Sequence, residues 1–346
     1  MELGLQLGYW KAQPPTDHLE KVLEAERLGY DIVFTAESWG SDVFGPLAWW
    51  GSRTSRIRLG TAVTQMSART PTSTAMHAIT LDHLSEGRMV LGLGLSGPQV
   101  VEGWYGQPFG QPLVRTREYI GIIRQALARD APVVSEGPHF PLPYTGDGAL
   151  GLGRPLRPMV HPRRADMPIW IGSEGPRNVA LTAEIADGWL PIYYSPRVAD
   201  MYNGWLREGF ARPGARRTRD TFEIATACQV VVTDDRDAAL EAMKPTLAFY
   251  IGGMGAERMN FHKEVFARMG YEPEADEIQQ LFLAGKRDKA IAAVPVAAVD
   301  DISLVGTVAE IRDRLAMWED AGITHLVVGA QSLAHLRQVA EVVLGA

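Results

Sequence analysis

The sequence predicts an α/β fold, a (β/α)8 TIM barrel, and three observations carry that reading. Short apolar runs alternate with amphipathic helical stretches along the whole chain. Eight such runs fall within 346 residues, a length that suits one large barrel or two ordinary domains. No linker rich in Pro, Gly and Ser interrupts the alternation, so one domain spanning 1–346 is expected.

The first strand is expected at Leu3-Gly4-Leu5-Gln6-Leu7-Gly8, where apolar residues alternate with small or polar ones. A helix should follow, because Leu19, Val22, Leu23, Ala25 and Leu28 recur at helical spacing, Asp17 and Glu20 are spaced like a capping box, and Gly29 stands where a helix ends. Further strands are expected at 32–34, 57–63, 89–93, 169–171, 188–192, 222–232 and 323–328. Thr307 and Glu310 form a T-x-x-E capping box ahead of Ile311, Leu315 and Trp318, and Leu333, Leu336, Val339 and Val343 mark a closing helix. Two stretches overrun ordinary loops: 137–168, near the fifth strand, and 245–301, after the seventh. Both are expected to be insertions that act as lids.

Composition removes several function classes. Hydrophobic residues make up 46% and charged residues 22%, as in an ordinary globular protein. A net charge of −7 offers no footprint for nucleic acid or an anionic membrane surface. The single cysteine, Cys228, excludes an intrachain disulfide framework and any Cys-rich metal site. No metal-ligand spacing, Walker loop or nucleophile elbow is present, and Gly92-Leu93-Gly94 lacks the third glycine of a dinucleotide fingerprint, so no metal is expected. With no apolar stretch of spanning length and no leader pattern, a cytoplasmic enzyme is expected.

In such a barrel the reactive groups sit just after the strands. Glu37 and Ser38 follow the second strand, Gln65 to Arg69 the third, and Leu95 to Gln99 the fourth. Glu37 is either a desolvated carboxyl ready for proton transfer or a carboxylate paired with Arg69. After the fifth strand, Gly172-Ser173-Glu174-Gly175-Pro176 runs into a helix whose free N–H groups suit an anion, although the glycines also suit a tight turn. Met66, Trp104, Tyr105, Tyr193, Tyr194 and Met254 fall in the same loops, either lining a pocket for a flat polycyclic ligand or packing the barrel rim. His77 and His83 lie in a helical stretch and read as structural.

Several segments together resemble the bacterial luciferase-like superfamily. The most specific runs Leu81-Asp82-His83-Leu84-Ser85-Glu86-Gly87-Arg88-Met89-Val90-Leu91-Gly92-Leu93-Gly94; 56–63 with Thr70-Pro71 and 168–189 support it. The block 96–106 is most similar to the F420-dependent branch, which includes the methylenetetrahydromethanopterin reductases. The resemblance implies a deazaflavin at the strand ends, backed by a non-prolyl cis peptide at Ala62–Val63. It further implies that Ser96, Gly97 and Gln99 meet the ring or ribityl chain, and that Gly172, Ser173, Glu174, Gly175 and Pro176 meet the phosphate. Related F420 enzymes carry an Asp-His pair where this chain has Glu37 and Ser38, and a carboxylate near Gly8-Tyr9-Trp10, where this chain has none.

The expected activity is hydride transfer between coenzyme F420 and a small organic substrate, a carbonyl, imine, enone or alcohol, with Glu37 as proton carrier and Ser38 as its auxiliary. Two alternatives stand beside it: an FMN-dependent monooxygenase and a non-catalytic flavin-binding or deazaflavin-binding protein. Homodimerisation through barrel helices is implied by the resemblance alone.

Overall fold

A computed structural model describes residues 1–8, 10 and 12–345; Tyr9, in the segment after the first strand, lies outside the described residues. Its strands are β1 (Glu2–Gln6), β2 (Ile32–Thr35), β3 (Arg58–Thr61), β4 (Thr64–Gln65), β5 (Met89–Gly94), β6 (Ile169–Gly172), β7 (Gly188–Trp189), β8 (Glu223–Ala227), β9 (Gln229–Val232), β10 (Ser303–Gly306) and β11 (His325–Gly329). The hydrogen-bonded order is β3-β2-β1-β11-β8-β7-β6-β5-β4, and a further β3–β5 pairing closes the ring. Since β3 and β4 are two halves of one strand, this is an eight-stranded parallel barrel wrapped by helices.

The strands read as nearly unbroken apolar runs because both faces are buried. Ile32, Phe34, Val90, Trp170, Leu190, Ala225 and Val327 form one interior cluster. Leu3, Leu5, Val33, Leu59, Leu91 and Ile171, one position out of phase, pack in a separate cluster with helix residues such as Val22, Ala75, Val179 and Leu336.

Where the third strand breaks between β3 and β4, a side chain replaces the backbone ladder. The Thr61 hydroxyl donates to the Gly92 carbonyl at 2.6 Å and accepts from the Gly92 N–H at 2.9 Å. Gly92 is required there: a Cβ would stand 1.7 Å from the Thr61 carbonyl oxygen.

Several expectations need correction. The seventh strand does not run unbroken over 222–232. It leaves the barrel at Cys228, and β9 pairs instead with β10, a strand the sequence reading omits. The sixth is only two residues long. Asp17 forms no capping hydrogen bond, because its carboxylate is taken by Lys21 at 2.8 Å, whereas the Thr307–Glu310 capping box is complete.

The two long connections lie at opposite ends of the barrel. Segment 137–168 joins a helix to the start of β6: its first part packs on helix Pro112–Ala128, where the Glu118 carboxylate accepts the His139 and Phe140 N–H groups at 2.9 and 3.2 Å, and its later part passes the N-terminal ends of the strands, so it is not a lid. There Arg164 bonds Asp82 and the Met89 carbonyl, and His83 meets the His161 carbonyl. The connection after β9 begins at Arg236, earlier than expected, since Pro245 lies inside helix Arg236–Gly253 rather than ahead of it. With Phe261–Phe266, Glu272–Leu283, Arg287–Ala292 and Val296–Asp301 it forms a helical cap that has its own apolar core around Leu240, Leu247, Phe266, Ile278 and Val299.

Candidate active site

One cavity of about 1420 Å³ opens at the C-terminal ends of the strands, beneath the helical cap. It is lined by Glu37, Ser38, Ala62, Val63, Gln65, Ser96, Gly97, Gln99, Gly172, Ser173, Glu174, Gly175 and Pro176, so the barrel brings together the residues expected to carry the chemistry and hold the cofactor.

The floor is built around Val63. The Ala62–Val63 peptide is cis, and β5 and β6 end in glycines that make room for the valine side chain. A Cβ on Gly94 would stand 2.3 Å from Val63 Cγ2, and one on Gly172 3.2 Å from Cγ1.

On one side, Glu37 is fully engaged. Its carboxylate accepts the Gln65 N–H at 2.9 Å and an Arg69 N–H at 2.5 Å, while Arg69 also holds Asp42 at 3.0 Å and lies over the Phe44 ring. Of the two readings of Glu37, the geometry matches the carboxylate paired with Arg69. Ser38 adopts a positive φ of 45°, and its carbonyl accepts the Tyr105 hydroxyl at 2.8 Å. The Gln65 side-chain oxygen, by contrast, is buried with no partner among the described residues.

On the opposite side, helix Pro176–Ile185 starts at the cavity wall. Proline occupies its first turn, no side chain caps it, and a Cβ on Gly175 would meet nothing within 4 Å. Pro176 has no N–H, and the Asn178 and Val179 N–H groups bond the Gly175 carbonyl at 3.0 and 2.9 Å, so the amides open to an anion are those of Gly175 and Arg177. Ser173 is buried, with its hydroxyl bound to Thr182 at 2.9 Å and its carbonyl accepting the Trp189 indole N–H. The Asn178 side-chain oxygen has no partner among the described residues. Glu174 faces the cavity while protein encloses it; this burial pushes its carboxyl up to about 8, against weaker opposing pulls from the Ile192 N–H and Arg268. Glu174 is therefore largely neutral at pH 7 and can donate a hydrogen bond.

The aromatic and methionine residues divide. Tyr193 and Met254 line the cavity, whereas Met66 and Tyr194 belong to the main core and Trp104 points to solvent. The sequence reading missed His262, Arg268, Gln229 and His335, which also line the cavity. His262 and Arg268 belong to the cap, and neither carries a spacing signal; the only available hint was that the cap follows a strand end. His77 and His83 bond backbone carbonyls, as structural residues do. Among the described residues, no group of three or more His, Cys, Asp or Glu is placed to hold a metal ion, and no helix is long and apolar enough to cross a membrane.

An eight-stranded barrel with a capped, amphipathic cavity at the strand C-termini defines a barrel that binds a large organic ligand. The family model for luciferase-like monooxygenases matches residues 4–325, and the chain belongs to that family. It is 61% identical over 343 residues, covering 99% of both chains, to a Mycobacterium tuberculosis protein named "putative coenzyme F420-dependent oxidoreductase". It is 28% identical to the 5,10-methylenetetrahydromethanopterin reductase of Archaeoglobus fulgidus, over 88% of this chain and 87% of that one. Among solved structures, the coenzyme F420-dependent tetrahydromethanopterin reductase of Methanopyrus kandleri superposes with a TM-score of 0.79 at 24% identity, over 99% of this chain and 98% of that one, a likeness of fold.

Proposed function

We propose that this chain is an F420-dependent oxidoreductase that transfers a hydride between the deazaflavin and a small organic carbonyl, imine, enone or alcohol. The observation that carries the reading is full-length 61% identity to a protein named for that cofactor, joined to a cavity whose walls suit it. The fit rests on the open turn at Gly175, where a backbone free of side chain can approach an anion, and on the polar residues Gln65, Gln99 and Asn178 that line the strand ends. When bound, F420 supplies hydride chemistry at its ring carbon.

The chain's own residues bind, orient and exclude water. Ala62 and Val63 would back the ring, and Gln65, Ser96, Gly97 and Gln99 would border the ring and its polyol chain. Gly172, Ser173, Gly175 and Pro176 frame the phosphate, with a neutral Glu174 donating to it. The Glu37–Arg69 pair fixes the loop after β2, with Ser38 beside it, so we assign Glu37 to orientation of the site. The cap closes the cavity from solvent. We further propose a cytoplasmic homodimer.

The test is turnover under anaerobic conditions with reduced F420 and a carbonyl and enone panel, run beside an oxygen-uptake assay with reduced FMN. Substrate-dependent F420 oxidation supports the reading. Oxygen uptake coupled to product with FMN would replace it with the monooxygenase, and tight cofactor binding without turnover would leave a binding protein.

A further inference from the structure

The cavity has two chemically different walls. Around the strand ends it carries Gln65, Gln99, Glu174 and Asn178; under the cap its lining includes Met243, Leu247, Phe249, Tyr250, Met254 and Phe261. Ligand pockets for one drug-sized molecule run to roughly 1,000 Å³ at most, so about 1420 Å³ leaves several hundred Å³ beside a bound cofactor.

Within that wall His262 is the buried polar exception. Its Nδ1 is buried outright and has no hydrogen-bond partner among the described residues. The ring is set by the edges of two tyrosines, with centroids 5.1 Å from Tyr250 at 80° and 6.0 Å from Tyr193 at 85°. Its backbone is anchored as firmly. Asn260 is buried, accepts the N–H groups of His262 and Lys263 at 3.0 and 3.1 Å, and donates to the Ile251 and Tyr250 carbonyls at 2.7 and 3.2 Å. The cap therefore holds one imidazole within this wall, with its Nδ1 unpaired among the described residues. A buried polar group left unpaired is costly, and a ligand atom that pairs it gains selectivity. Burial also drives this imidazole down to about 4, so at neutral pH it is uncharged, with one N–H to donate and one nitrogen to accept.

We infer that the space under the cap takes an apolar ketone or aldehyde, or the corresponding alcohol, with a hydrocarbon body against the Met, Leu and Phe side chains and its single oxygen hydrogen-bonded to His262. Of the cations lining the cavity among the described residues, Arg177 follows Gly175 at the helix start, and Arg268, on the cap, bonds Glu264 at 3.2 Å and acts on Glu174. This inference rests on the cofactor reading above and names the substrate class for the same cavity.

The test uses the cofactor-loaded protein and calorimetric titration with 2-alkanones of increasing length, after F420 binding has been measured separately by its fluorescence. Affinity is expected to rise roughly fourfold per added methylene until the chamber is full. His262→Phe should weaken every ketone roughly five- to tenfold while keeping the same increment per methylene, and His262→Gln, which restores a donor and an acceptor, should recover most of the loss. The imidazole resonances of His262 should shift on ketone addition in the unmodified protein, a readout that does not depend on how the variants fold. Affinity that ignores chain length, or unshifted His262 resonances at saturation, would overturn the inference while leaving cofactor binding intact. Absence of F420 binding in the first step would overturn the cofactor reading and this inference with it.

Discussion

The two ends of the barrel are built from the same strands and solve opposite problems. At the N-terminal ends, Arg58 bonds Asp31 at 2.5 Å, Glu223 at 2.9 Å and the His325 ring at 2.8 Å, and lies 5.4 Å over the Trp170 ring. His325 in turn reaches Asp31 at 3.1 Å and Thr324 at 2.7 Å. Every one of these charges is answered within the chain. At the C-terminal ends the strands finish in glycines, and polar atoms of Gln65, Asn178 and His262 go unanswered. The comparison teaches that charge alone does not mark a binding end: the plug is the more highly charged of the two, yet its charges are answered within the chain.

The largest effect should come from breaking the plug. Arg58→Ala leaves Asp31 and Glu223 without their cation, and urea unfolding should show a loss of about 2–4 kcal/mol, below the figure for fully buried pairs because both carboxylates keep some exposure. Cofactor affinity of the folded fraction should stay within twofold, since no plug residue reaches the cavity. Equal losses of stability and affinity would erase the distinction between the ends.

Next in size is Gly94→Ala. The new Cβ overlaps Val63, so the floor must shift, at a cost of about 1–3 kcal/mol in stability. F420 affinity, read by fluorescence titration, should fall more than tenfold, because the displaced group backs the ligand.

Gln65→Met sharpens the comparison. Removing an orphaned buried oxygen should leave the apoprotein as stable or slightly more so, while cofactor affinity drops by about 1 kcal/mol. A stability loss with unchanged binding would place Gln65 in the structural class instead.

The remaining effect is confined to pH. The Glu174 carboxyl is raised from 4.5 to about 8, so the folded protein holds this proton more tightly than the unfolded chain does. Its contribution to apoprotein stability is complete below pH 4.5, declines as pH rises, and is lost once pH passes about 8. Glu174→Gln should flatten that decline in denaturant midpoints measured across the window.

The same contrast explains what was legible in the sequence. Strands buried on both faces announce themselves as apolar runs, and the capping box at Thr307 is a local device that depends on little else. Asp17 shows the limit of local signals, since Lys21 one turn later competes for the same carboxylate and wins. Strand β10, Ser303–Gly306, has no clear pattern of its own and becomes a strand only because β9 swings out of the barrel to meet it. The residues around the cavity were legible because they follow strands, and the Glu37–Arg69 pair could be raised as one of two outcomes. Its selection depended on where a loop places Arg69. His262 was illegible, because its significance lies in two tyrosine edges and a buried asparagine that only the folded cap brings together.

The central claim is that the C-terminal end of this barrel is an unsatisfied cradle for a phosphorylated deazaflavin. Equilibrium titration of the purified protein with F420, followed by fluorescence and by the shift in thermal unfolding, tests it directly. The account predicts saturation at one F420 per chain, with a rise in unfolding temperature that grows with ligand concentration and is diminished in Gln65→Met. No saturable binding and no thermal shift with F420, in protein that unfolds cooperatively, would contradict it.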